Sequence, residues 1–293
     1  MDQAAGGSAA GGGQASPALA RMAVGSRLRW HRQECGLSRE DAGAAIGVPA
    51  RQILAMERGD TKLTVHEVGG LCAVYELGDL DERATLLGLA RQANGPEWWH
   101  PYQDVIPAWF TRYLSLEQAA RVIRSYTPQV PALLQTPAYT HALLTASHTG
   151  AAHDLTRRAE LRARRQEILH RPQPVRLWTV IDEAALRRPV GGSKVMREQL
   201  QHLISMCDLP HVTIAVLPFA RGGHLAASGP VSLLRLPDPQ LPDMVYLDLL
   251  TGGLYLDEPA ECTFYWHLMN QLAIAAESAS APQVILRQIL SGK

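Results

Sequence analysis

Three stretches of the 293-residue chain place reactive side chains close enough to act together. Asp182 and Glu183 follow the apolar run 174–181, with Arg187, Arg188 and the pair Gly191-Gly192 just beyond. Carboxylates at a strand end can ligate a metal or act as general bases. They are equally ordinary helix-starting residues, with Arg187 at ion-pairing distance along the helix. From Arg157 to Arg171 six arginines (157, 158, 162, 164, 165, 171) stand against Glu160 and Glu167, a net of +4 in a chain whose 28 basic and 28 acidic residues cancel. Arg158, Arg162 and Arg165 fall at i, i+4 and i+7 and share one helix face. That stripe is either a solvated surface or a cradle for a phosphate, an acidic ligand or an acidic partner. The loop Phe219-Ala-Arg-Gly-Gly-His224 follows another apolar strand and could close over a bound group, but its spacing matches neither a dinucleotide-binding turn nor a P-loop. Neither GxSxG nor HExxH occurs, and the histidines and the four cysteines (35, 72, 207, 262) lack metal-ligand spacing. The expectation is a protein with no catalytic residues, no metal and no cofactor.

The elements that must position these groups divide the chain. Residues 1–20 are expected to be a Gly/Ala/Ser-rich disordered tail, since twelve of the first sixteen are Gly, Ala or Ser. That segment has neither the basic start nor the apolar core of a secretory signal, and no run is long enough for a membrane helix, so a cytoplasmic protein is expected. A helical domain is expected over 21–78, a helical and aromatic connector rich in tryptophan over 79–112, and an α+β domain over 113–293. In the last of these, helical patterns at 115–125, 137–147, 154–170, 193–206 and 258–276 alternate with β-rich runs at 174–181, 211–217, 230–236 and 244–250.

Within 21–78 the breakers delimit short helices. The first spans about Gly25–Cys35 and ends at Gly36. Ser38, with Glu40 and Asp41 after it, starts a second that stops at Gly47. Pro49 opens a third that reaches Glu57, and a fourth starts near Thr64. Two short helices joined by a tight glycine turn form a helix-turn-helix, whose second helix fits a major groove. Ala42 and Gly43 supply the small residues at the crossing, while Ile53 and Met56 anchor the third helix and leave Ala50, Arg51 and Gln52 outward. Arg can pair bidentately with guanine and Gln with adenine.

The run LRWHRQECGLSREDAGAAIGVPARQILAMERGDTKLT resembles the lambda-repressor-like, Xre-type DNA-binding domain, including its late Glu57-Arg58-Gly59. The resemblance implies a double-stranded operator, with Arg51 and Gln52 on bases, Arg39 and Arg58 on phosphates, and Arg29, Arg32, Ser38, Ala50 and Lys62 completing the contact set. Leu54, Ala55 and Arg39 depart from the family pattern. Eight basic residues oppose seven acidic ones over 21–77, so one domain alone should bind weakly and a homodimer is the expected remedy. Further on, Tyr113-Leu-Ser-Leu-Glu117, Pro131–Tyr139, Asp182–Gly192, Val216-Leu-Pro-Phe219 and Leu250-Thr-Gly-Gly-Leu-Tyr255 resemble the effector-like domain of actinobacterial WhiJ-type regulators. That resemblance implies regulation and a small acidic protein partner encoded nearby. Arg158, Arg162, Arg165, Asp182, Arg187 and His224 form the expected partner or ligand site. The expectation is therefore a sequence-specific transcriptional regulator. Its rivals are an antitoxin-like protein gripping a cognate partner and a metal-dependent nucleic-acid-processing enzyme built on Asp182 and Glu183.

Overall fold

The computed structural model describes residues 16–147, 152–224, 226, 229–277 and 281–291. The chain forms two compact units that meet at the 96/97 bond. The connector expected over 79–112 is therefore split between them.

The first unit is all helical. α1 (Pro17–Glu34) starts eight residues before the expected Gly25, because Ser16 accepts a hydrogen bond from the Leu19 amide and Pro17 occupies the first helical position. Ala18, Ala20 and Met22 are buried, so residues 17–20 belong to the core and not to a tail; residues 1–15 lie outside the described residues. α2 (Arg39–Ile46) opens on a reciprocal cap: Ser38 Oγ accepts from the Asp41 amide at 3.0 Å, and Asp41 accepts from the Ser38 amide at 3.1 Å. It ends where Gly47 takes a left-handed φ of 74°, a conformation glycine adopts without steric cost. α3 (Ala50–Glu57) follows at once. α4 (Val65–Val74) repeats the reciprocal cap with Thr64 and Glu67, and α5 (Leu80–Gln92) is capped by Asp79. Val24, Leu28, Ala42, Ile53, Met56, Leu63, Val68, Leu71 and Leu86 close one core.

The second unit opens with Trp98, Trp99, Tyr102 and Phe110 packed on Ile106, Leu114 and Leu161, so the tryptophans are anchors. α6 (Ala108–Ala119) leads into β1 (Val122–Thr127). A helix was expected over 115–125; instead the helix ends at Ala119 and 122–127 is a strand. Val122–Thr127 pairs with β2 (Arg176–Asp182) in parallel and with β4 (Val231–Arg235) antiparallel, and two strand neighbours outweigh a short helical pattern. α7 (Pro137–Ser147) and α8 (Ala152–Gln166) lie between β1 and β2, then α9 (Glu183–Arg187) and α10 (Gly192–Met206) lead to β3 (Val212–Leu217). β5 (Met244–Leu249) and β6 (Gly252–Leu256) complete a six-stranded mixed sheet in the order β3-β2-β1-β4-β5-β6. α11 (Pro259–Glu277) crosses one face, where Leu268, Met269 and Leu272 meet Val180, Leu217, Leu233 and Val245; α12 (Pro282–Leu290) closes the described chain. An all-α helix-turn-helix unit is thus followed by an α+β unit.

Candidate functional site

The first unit offers the geometry of a DNA-reading helix pair. The backbones of α2 and the turn approach so closely at Gly43 that a Cβ there would stand 2.4 Å from the Val48 carbonyl oxygen. That contact sets the crossing and directs the start of α3 outward. Arg51 is exposed on the first turn of α3 with Ala50 half-buried beside it, and the Gln52 amide nitrogen donates to Glu67 at 2.9 Å. Ser38 and Lys62 are exposed, Arg58 follows α3 on the surface, and Arg29 is half-buried. Leu54 and Ala55 are partly buried.

Arg32 does not belong to that surface. Its guanidinium is buried and bonds Glu57 through Nε at 2.5 Å and Nη2 at 3.2 Å, with Nη1 on the Leu37 carbonyl at 2.7 Å. The hydrogen bonds of Glu57 hold the Arg32 pKa above its ordinary value. Arg39 bonds the same carboxylate at 2.9 Å while remaining about one-third exposed. Glu57 therefore ties α1, α2 and α3 together, and Arg32 serves the fold.

In the second unit the arginine stripe of α8 turns inward. Arg165 makes two bonds to Glu117 of α6, at 2.7 and 2.8 Å, and both side chains are buried. Burial pulls the Arg165 pKa down, but the charge and hydrogen bonds of Glu117 outweigh it and leave the group above its ordinary value. Arg162, one turn earlier, makes a 2.7 Å bond to the amide oxygen of Gln135. Burial, with Arg165 adding repulsion, lowers its pKa to about 10. Arg158 Nε is buried without a partner among the described residues. Neither a solvated stripe nor an outward docking face describes these three residues.

Arg162 and Arg165 border a cavity of about 200 Å³ over one face of the sheet. Ile123, Ser125 and Thr127 floor it, α6 contributes Tyr113 and Glu117, and β5 contributes Tyr246 and Asp248. Tyr113 stacks on Phe110 with ring centroids 5.2 Å apart and meets Tyr246 at 4.5 Å. The Tyr246 hydroxyl donates to Asp248 at 3.0 Å. Burial nonetheless raises the Asp248 pKa, against the lowering effects of that bond and of Arg165. Glu117, Gln135 and Asp248 were not anticipated. For Asp248 the signal in the sequence is a lone carboxylate inside the otherwise apolar strand MVYLDL.

Asp182 and His224 lie apart from that cavity. Alternation along the strands sends Tyr126 and Asp182 to the face opposite Ser125 and Thr179. There the Tyr126 hydroxyl donates to Asp182 at 3.1 Å, and His224 Nε2 lies 3.5 Å from the same hydroxyl and 3.7 Å from the carboxylate. Burial first, then Asp182, raises the Tyr126 pKa. Asp182 also caps α9 through the Ala184 amide at 2.8 Å. Glu183 is held by Arg187 at 2.7 Å and by the Phe219 amide at 2.9 Å. The six residues expected to form one site therefore occupy two places, and Arg187 serves a local ion pair. Among the described residues no group of three or more His, Cys, Asp or Glu is arranged to hold a metal ion, and no helix is long and apolar enough to cross a membrane.

These observations define a helix-turn-helix protein of the DNA-binding regulator class, in which an α+β domain follows the helical unit in the sequence. A helix-turn-helix domain family matches residues 23–86, from within α1 into α5. Residues 110–288, more than half of the chain, match the domain of unknown function DUF5753, and the chain belongs to that family. No curated protein and no solved structure matches the chain.

Proposed function

We propose that the chain is a cytoplasmic, sequence-specific transcriptional regulator of the WhiJ type. α3 enters the major groove of an operator, Arg51 and Gln52 read bases, and Arg29, Ser38, Arg39, Ala50, Arg58 and Lys62 hold the unit on the duplex. The α+β unit pairs two copies and answers a small ligand or a small acidic protein. The carrying observation is the close crossing at Gly43, which leaves Arg51 exposed at the start of α3 in a unit matched by a helix-turn-helix family. The 8:7 balance of basic to acidic residues over 21–77 supports pairing, because so little net charge releases few counterions from DNA.

Selection of a bound sequence from a random DNA pool, followed by titration of Arg51→Ala and Gln52→Ala, tests the reading. Loss of one bidentate base contact costs about 1–3 kcal/mol and relaxes preference at one base pair. Unchanged affinity and preference in both variants would remove the assigned readout.

A further inference from the structure

We propose that the cavity over the Ile123–Ser125–Thr127 face of the sheet binds a small monocarboxylic acid, with its carboxylate seated on the Arg162 guanidinium. The proposal deepens the reading of the second unit as the responsive part of the regulator and rests on it for its biological meaning; binding itself is measured without DNA.

Charge pairing in the cavity is uneven. Glu117 is committed to Arg165 through two short bonds. Arg162 has its one hydrogen bond to the neutral amide of Gln135, and no carboxylate stands within ion-pair distance of it among the described residues. A guanidinium so placed has lost water and feels Glu117 only at longer range, without a carboxylate bonded to it, and an entering anion would supply that bonded counter-charge. Burial first, then repulsion from Arg165, lowers the Arg162 pKa to about 10 in spite of the attraction of Glu117.

The fork is also held ready. Gln135 donates to the Val130 carbonyl at 2.7 Å and accepts from Thr140 at 3.1 Å, while Gln166 donates to the Gln135 carbonyl at 2.8 Å. Gln135 therefore cannot turn away, and Arg162 keeps its position before a ligand arrives. A preorganised donor loses little freedom on binding.

Size and charge select the ligand class. A cavity of about 200 Å³ admits a small organic molecule. Ile123, Leu133 and Leu177 offer an apolar wall for a short carbon skeleton. One guanidinium without a bonded carboxylate matches a single negative charge. A phosphate dianion or a dicarboxylate would bring a second charge into a space already bordered by Glu117 and Asp248, where like charges repel at low dielectric. A planar carboxylate also fits the bidentate geometry of the fork.

The test uses the full chain near neutral pH at constant ionic strength. Thermal unfolding and titration calorimetry are followed with acetate, propionate, isobutyrate and benzoate, against succinate, inorganic phosphate and chloride as references. At least one monocarboxylate should raise the unfolding temperature with concentration, beyond every reference anion. Arg162→Met should weaken that acid at least tenfold. The same variant should unfold at a higher temperature than the parent without ligand, because it removes a desolvated charge and keeps the volume; a purely architectural arginine would give the reverse. Ser232→Leu keeps every charged group and narrows the cavity, so it should lose the acid too, and it decides the matter if Arg162→Met does not fold. Absence of a response to all four monocarboxylates overturns the proposal. So does an equal response to succinate or phosphate, or full acid binding by both variants. Acid binding without any operator binding would instead refute the regulator reading and leave this site standing.

Discussion

Replacing Glu57 by alanine should unfold the DNA-reading unit in proportion to the charge it strands. The Glu57 side chain is 2% exposed and the Arg32 side chain 8%, and Glu57 receives both bidentate bonds of Arg32. Without the carboxylate, Arg32 retains the 2.7 Å bond to the Leu37 carbonyl and a buried positive charge. Removing one partner of a buried pair costs about 3–5 kcal/mol. Arg39 adds little to this, since its guanidinium reaches solvent. A unit of this size is stable by only about 5–14 kcal/mol at typical per-residue values, so the variant forfeits a large share. Native-state hydrogen exchange read by mass spectrometry separates the two units. Amides of α1 and α3 should lose roughly two to three and a half powers of ten in protection, while those of the sheet should not change. Glu57→Ala combined with Arg32→Met removes both charges and should recover most of the loss, because an apolar pair of similar volume is often neutral or better. A loss below about tenfold in the single variant, or no recovery in the double, would refute this account of Arg32 and return it to the DNA-contact set.

Three further outcomes follow from the same structure. Gly43→Ala should lower the unfolding temperature although alanine favours helix by about 1 kcal/mol, because its Cβ would meet the Val48 carbonyl oxygen at 2.4 Å; a rise would show that the helix crossing is loose. Burial raises the Asp248 pKa above its ordinary 3.8, so the stability linked to this group is present below that value and is lost as pH rises through the raised one. Denaturant titrations should therefore find Asp248→Asn more stable than the parent near pH 7 and no more stable near pH 3; an unchanged difference across that range would place the carboxylate in solvent. Residues 16–96 alone should bind the operator much more weakly than the full chain at equal salt, as the proposed pairing through the second unit requires; equal affinity would show that one unit suffices.

The helix-turn-helix was legible because its determinants are local. Ser38 with Asp41, Gly47, Pro49 and Thr64 each act within one helical turn, so a reader of the sequence meets cause and effect side by side. The α+β class and most helices and strands beyond residue 130 were legible for the same reason. The spacing of Arg158, Arg162 and Arg165 also placed them on one face of α8, but it could not say whether that face met water or protein. Glu117, which draws Arg165 inward, lies 48 residues away, and Glu57, which buries Arg32, lies 25 residues away. The strand at Val122–Thr127 hid under a helical pattern because what makes it a strand is its two neighbours, drawn from residues 176–181 and 231–235. Local hydrogen bonding and capping are written in adjacent residues; the pairing of buried charges and the neighbours of a central strand are decided only when distant segments meet, and at those places tertiary structure overrode the one-dimensional pattern.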